Sequence, residues 1–166
     1  MTVSIEPAHD HRVPSQELLS IARWYASRPD RWSVAPRFDP DRRWYHLISD
    51  DPHVQVWLLS WLPGQTTGLH DHGGSSGAFV VVQGTLREHT TTAHQPGDPA
   101  PLAELTVPTG VGRSFGPHYI HQVTNASSEP AVSLHVYGPA LRQMTRYRVE
   151  DGRLHVTAVE RAGVDW

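Results

Sequence analysis

The chain contains no cysteine. Disulfides, zinc ribbons, iron–sulfur ligation and a cysteine nucleophile are thereby excluded, and any metal has to be held by histidine nitrogen or by oxygen. Nor does it contain a run approaching the ~20 apolar residues that a bilayer span needs. Its opening residues, Met1 to Pro14, have neither the basic start nor the apolar stretch of a secretion signal. Together these features predict a soluble, cytoplasmic protein. A net charge of -3 leaves no electrostatic reason to expect nucleic acid or an anionic membrane surface as a partner. What is plentiful is histidine, proline and glycine, with 12, 14 and 13 residues. The turn formers imply many short strands, and 166 residues, 38% of them apolar, suffice for one buried core and about one domain.

Pro14-Ser15 followed by Leu18, Ile21, Ala22 and Tyr25 at helical spacing predicts a capped amphipathic helix that stops at Pro29. Residues 30–43 carry charge and prolines without a sustained period, as a loop wrapping towards the main fold would. From Trp44 the texture changes to β-branched and aromatic runs: WYHLI, VQVWLLSWL, GAFVVVQGTLREHT, AELTV, HQVTN, AVSLHVYG, TRYRV and LHVTAVE. Asp98-Pro99, Pro108-Thr109-Gly110 and Glu150-Asp151-Gly152-Arg153 mark reversals. The reading is all-β: a single-domain barrel over residues 44–166, with residues 1–43 as an N-terminal helical segment and wrapping loop packed on it. No internal repeat or low-complexity tract interrupts it.

His70-Asp71-His72 is the sharpest feature. On an extended strand residues i and i+2 share a face, so two imidazoles converge, and inside a barrel they suit a divalent transition metal. A third ligand must come from a distant strand, and His121 in Ile120-His121-Gln122-Val123 is placed for it. The blander alternative is real, since a buried histidine is more often a hydrogen-bonded core residue than a ligand. Ser133-Leu134-His135-Val136-Tyr137 alternates in the same way. Ser133 can therefore hydrogen-bond His135, and His135 can orient the Tyr137 hydroxyl; here the bland reading is a polar strip satisfied by water.

The surroundings separate these readings. Gly64 precedes His70 by six positions, Gly73-Gly74-Ser75-Ser76-Gly77 follows His72, Gly84 closes the next strand, and His121 is followed by Asn125. With Trp61-Leu62-Pro63-Gly64, Phe115-Gly116-Pro117 and the run Glu129 to Tyr137, this text resembles the two motifs of the cupin superfamily. It is most similar to the thiol dioxygenase branch, the cysteine dioxygenase type I family in its bacterial form, over roughly residues 44–140. The resemblance implies a jelly-roll cupin barrel, Fe(II) held by His70, His72 and His121, and a small thiol and O2 as partners. It also implies that Tyr137, with His135 and Ser133, works beside the iron. The implied reaction places both oxygen atoms on sulfur, with L-cysteine becoming cysteine sulfinic acid.

Three departures inform the reading. A generic cupin has a glutamate ligand shortly after the histidine pair, and none lies between His72 and Gly84; three neutral ligands leave the metal's charge uncompensated and positions open for substrate. Animal relatives carry a cysteine at the position of Gly77, cross-linked to the tyrosine, which this chain cannot form. The family's arginine for the substrate carboxylate belongs on the strand before the histidine pair, where the register places His46, or Tyr45, at the anchor position. Arg43 serves if that register shifts, and Arg142 can approach from after the last barrel strand. Other small thiols such as 3-mercaptopropionate, a carbon substrate such as a catechol, or a non-catalytic metal-binding module are the alternatives. Trp24, Trp32, Trp44, Trp57 and Trp61 read as core and helix-docking aromatics. His89, His94, His118 and His155 read as exposed, and the assembly as a monomer or small homo-oligomer.

Overall fold

The computed structural model describes residues 12–165, so the outer ends of the two predicted segments, residues 1–11 and Trp166, lie outside the described residues. One helix, α1 (Ser15–Ala26), precedes eleven strands: β1 (Trp44–Asp50), β2 (Gln55–Trp61), β3 (Leu69–His70), β4 (Ser76–Gln83), β5 (Thr85–Thr91), β6 (Leu102–Pro108), β7 (Gly112–Phe115), β8 (Ile120–Thr124), β9 (Ala131–Gly138), β10 (Gln143–Glu150) and β11 (Arg153–Arg161). They form a five-stranded sheet in the order β1-β2-β9-β4-β7 and a six-stranded sheet in the order β11-β10-β3-β8-β5-β6. Every pairing is antiparallel.

Alternation along the strands sorts the side chains into two cores. Trp57, Leu59 and Trp61 of β2, Phe79 and Val81 of β4 and Tyr137 of β9 point between the sheets, with Leu86, Val107, Phe115 and Val123. Their neighbours Val56, Leu58, Ala78, Val80, Leu134 and Val136 face outward and are covered by Leu18, Leu19 and Ala22 of α1. Helix cover on the outer face explains why VQVWLLSWL and AFVVV are continuous apolar runs, since both faces of these central strands are buried. Among the described residues the second sheet has no such cover, and β6 buries only Val107.

Local expectations fared unevenly. Asp151 and Gly152 both have positive φ, 50° and 72°, and join β10 to β11 at the Glu150–Arg153 pair as a primed hairpin turn requires. Gly84 breaks the predicted long strand into β4 and β5 at φ +75°, where a Cβ would meet the Pro130 carbonyl at 2.7 Å. Helix α1 starts with Pro14 at the cap and no side-chain capping bond, so Ser15 does not cap it. Trp24 is a correction: it is 43% exposed, with the Arg28 guanidinium 4.6 Å above its ring, because the buried stripe of α1 runs through Leu18, Leu19 and Ala22. His94 and His118 are exposed, whereas His89 and His155 are half-buried.

Candidate metal centre

His70 ends β3 and pairs across the register with His121 of β8. The chain leaves strand geometry at Asp71. Its amide donates to the Thr145 carbonyl (3.0 Å), and its carboxylate accepts from the Thr145 amide (2.9 Å) and the Tyr147 hydroxyl (2.7 Å). Asp71 thus ties this very short strand to β10, away from the histidines on either side of it. The rings of His70, His72 and His121 form a triangle with centroids 4.9 Å apart on each side. One nitrogen of each lies within 4.8 Å of the other two, all three residues are buried, and no carboxylate belongs to the cluster.

What holds each ring differs. His70 Nδ1 faces the Gly68 carbonyl at 3.0 Å and His121 Nδ1 faces Glu88 Oε1 at 2.7 Å. Donating there leaves Nε2 of both rings with its lone pair free for a cation. His72 differs: neither of its buried ring nitrogens has a partner in good hydrogen-bond geometry among the described residues, although the Tyr119 backbone lies close enough to raise its proton affinity. Burial, with the neighbouring histidines adding to it, pushes the proton affinity of His70 and His72 well below the ordinary imidazole range, and the Gly68 and Tyr119 backbones oppose this only in part. Neutral rings are the ligating form. A divalent cation at the triangle would satisfy an orphaned His72 nitrogen, so these residues fit a metal held by nitrogen alone.

Glu88 was not legible as a site residue in the sequence. It sits on β5 two positions after the core residue Leu86, fully buried. Its Oε1 accepts from His121 Nδ1 and from the Tyr119 hydroxyl (3.0 Å), and its Oε2 from Arg113 Nε (2.9 Å). Burial works against the charge, but the His121 and Arg113 contacts outweigh it and hold the carboxyl below its usual value. The available signal was an acid at the inward parity of a strand.

On β9 the Ser133 Oγ lies 2.8 Å from His135 Nε2, and His135 Nδ1 lies 3.5 Å from the Tyr137 hydroxyl. Burial keeps His135 neutral and drives the Tyr137 phenol far above its ordinary value. Tyr137 lies 5.4 Å from the His72 ring, centroid to centroid. Opposite it in register is Gly77, where a Cβ would meet Phe115 Cζ at 2.5 Å and Tyr137 Cδ1 at 3.0 Å. The Phe115 ring fills that space and stacks on His72 at 4.7 Å.

A narrow cavity of about 20 Å3 is lined by His70, His121, His135 and Tyr137 together with Arg43, Thr67 and Arg146, and no acidic residue among those described lines it. Arg43 stacks 5.0 Å over the Trp61 ring and donates from Nη1 to the Thr66 carbonyl at 3.3 Å, while its buried Nε has no partner. Burial, with Arg146 nearby, lowers it to about 10. Arg146 is compensated by Glu160 (2.8 Å) and donates to the Thr67 carbonyl. His46 is not brought to this cavity. Its ring stacks on Trp44 (centroids 6.1 Å, planes 7° apart) near Ser33. The reason is parity: Tyr45 and Leu47 of β1 pack into the barrel, Trp44 towards the helix side, and His46 shares the face of Trp44. Tyr45 itself packs on Trp57. Arg142 is exposed, and Arg146, four residues on, is the arginine of that segment that reaches the cavity.

Two antiparallel sheets closed around buried histidines define a cupin, a double-stranded β-helix, with a candidate metal centre inside. The family model for cysteine dioxygenase type I matches residues 6–150, and the chain belongs to that family. Cysteine dioxygenase type 1 of Rattus norvegicus is 27% identical over 131 residues, 75% of this chain and 64% of the rat protein, so the match spans less than two thirds of that relative's length. A Klebsiella pneumoniae protein with a double-stranded β-helix domain superposes with a TM-score of 0.54 at 16% identity, over 78% of this chain and 93% of that one. An RmlC-like cupin protein from Desulfovibrio desulfuricans gives 0.51 at 21% identity, over 63% and 90%. These two show the shared fold.

Proposed function

We propose that the protein is a cytoplasmic iron(II)-dependent thiol dioxygenase that adds both atoms of O2 to the sulfur of a small thiol, with L-cysteine, giving cysteine sulfinic acid, as the leading substrate. The observation that carries this reading is the set of three buried histidines with no carboxylate in their cluster, beside a cavity lined by an arginine, Arg43, that makes no ion pair among the described residues. When bound, iron(II) supplies a Lewis acid that favours thiolate over thiol and an electron source for dioxygen.

The chain's own residues do the rest. His70, His72 and His121 would hold the metal through one ring nitrogen each. Arg43 takes the acid group of the substrate, its unpartnered Nε being matched by a carboxylate oxygen. Trp57, Leu59, Val123 and Met144 line the same cavity and limit water there. Tyr137, its proton retained because burial disfavours the phenolate, donates a hydrogen bond towards the reacting atoms, and His135 orients it. The lack of an acidic lining residue offers no ion pair to an ammonium group, which favours 3-mercaptopropionate as the second substrate to try.

The test is to load the protein with Fe(II) anaerobically, admit air, and follow a panel of small thiols by mass spectrometry and oxygen consumption. The expected result is a two-oxygen gain on a thiol, matched to the O2 consumed. Oxygen uptake without an S-oxygenated product, turnover of catechols alone, or tight zinc with no turnover under reducing, iron-supplied conditions would overturn the reading.

A further inference from the structure

His70 and His121 each present Nδ1 to a fixed oxygen, but neither ring nitrogen of His72 has a partner in good hydrogen-bond geometry among the described residues. The His72 backbone is nevertheless fixed. The Asp71 carboxylate accepts from the Gly73 amide at 3.0 Å, and the His72 carbonyl accepts from the Ser75 amide at 3.0 Å. Those bonds set where the side chain starts and not how its ring is turned. A buried ring without a directional bond keeps its rotamer through the shape of what packs on it.

What packs on it comes from the connection between β7 and β8. Phe115 ends β7, and its ring lies 4.7 Å from that of His72 with the planes 26° apart. The other ring at a low angle to His72, Tyr137, is farther away, at 5.4 Å and 31°. After Phe115 the chain reverses at once: the Tyr119 amide donates to the Gly116 carbonyl at 3.3 Å, closing a turn with Pro117 at its second position. The reversal lays the Tyr119 ring on Phe115, 4.8 Å away and 11° from parallel. Tyr119 is tied in turn by its hydroxyl to Glu88, the same carboxylate that receives His121 Nδ1. We infer that Phe115 is a positioning residue for His72: its stacked ring fixes the orientation of the imidazole that no well-formed hydrogen bond turns, and Tyr119 braces it from Glu88. Gly77 leaves the room that this ring occupies, since a Cβ there would meet Phe115 Cζ at 2.5 Å.

The inference rests on the metal centre of the proposed function, but the orientation of the ring belongs to the metal-free protein and is read there. In metal-free protein labelled with 13C,15N-histidine, three-bond NMR couplings report whether each imidazole keeps one χ1 rotamer. The expected result is a single rotamer at His70, His72 and His121 in the wild type, and averaging at His72 alone in Phe115→Leu. Phe115→Met, which fills more of the space without offering a flat face, should behave in the same way and serves where the leucine variant folds poorly. Zinc affinity, measured by competition with a chelator, should fall about three- to tenfold in both, the worth of one stacked ring pair. A single retained rotamer at His72 in a folded variant, or equal averaging at all three rings, would overturn the inference whatever happens to zinc binding. Zinc held by the wild type no more tightly than by His72→Ala, with the couplings as expected, would instead count against the metal-centre reading alone.

Discussion

Glu88→Gln is the substitution that most directly probes how the metal centre is held. The carboxylate receives three donors, His121 Nδ1–H and Tyr119 O–H on Oε1 and Arg113 Nε–H on Oε2. Glutamine has the same shape but one oxygen and one NH2, so it cannot accept on both sides. With the amide nitrogen towards Arg113, donor faces donor. With the nitrogen towards His121, the ring escapes only by moving its proton to Nε2, which removes the lone pair meant for the metal. Losing a charge-assisted bond costs about 1.5–3 kcal/mol, and the lower end suits the Arg113 side because that side chain is 38% exposed. For a chain of this size that corresponds to a fall in apo-protein Tm of roughly 3–10 °C. Removing the group that orients a ligating histidine typically weakens metal affinity about 10–100-fold. Anaerobic competition against a chromophoric chelator measures the second effect, and thermal denaturation of metal-free protein measures the first. A metal affinity within about twofold of wild type, with Tm lowered, would refute the reasoning and reduce Glu88 to a packing element.

His72→Ala should lose most bound metal while Tyr137→Phe keeps it and loses mainly rate; equal metal content in wild type and His72→Ala would reject the ligand assignment. Arg43→Met should raise KM for acid-bearing thiols about 10–100-fold with little change in kcat, whereas His46→Arg, on the other face of β1, should leave the substrate profile unchanged; the reverse pattern would put the anchor back at His46. Gly77→Cys should destabilise by about 1–3 kcal/mol in urea denaturation because its Cβ meets Phe115 Cζ at 2.5 Å, and adding Phe115→Ala should relieve that clash; no loss in the single variant would mean that Phe115 yields freely. The unfolded chain protonates His135 near pH 6.5 but the folded chain does not, because burial holds its proton affinity well below that of a free imidazole. Below about pH 6.5 the unfolded state therefore binds more protons, and stability falls with falling pH by up to ~1.4 kcal/mol per pH unit from this residue, with no such loss above that pH. His135→Gln should flatten the slope by that amount, and superimposable pH–stability curves would dispose of the prediction.

Much of the fold was legible because its signals are local. Turn residues announce reversals, as at Asp151-Gly152, and β-branched runs announce strands whether or not their partners are known. The candidate ligands were legible as residue types and spacing, although His72 meets His70 from beyond the end of β3 and not by strand alternation, whereas the Ser133, His135 and Tyr137 side chains do share a face of β9. Gly77 marks the limit of such reading. Its lack of a side chain is plain in the sequence, but the ring that fills the space comes from Phe115 on another strand.

The sequence alone therefore determined the β character, the helical preface, the missing acid ligand and the residues that can bind metal, because each depends on spacing or residue type within one segment. Tertiary structure alone decided that Arg43 and Arg146, and not His46, line the cavity beside the histidines, since His46 falls on the face of β1 opposite to Tyr45 and Leu47. It also exposed Trp24, and it brought together two pairs of side chains from four strands that no spacing rule connects: Glu88 of β5 behind His121 of β8, and Trp61 of β2 behind Ser133 of β9. Contacts between strands distant in sequence arise only when the sheets close, and in this protein those contacts surround the three histidines and the Ser133–Tyr137 strip.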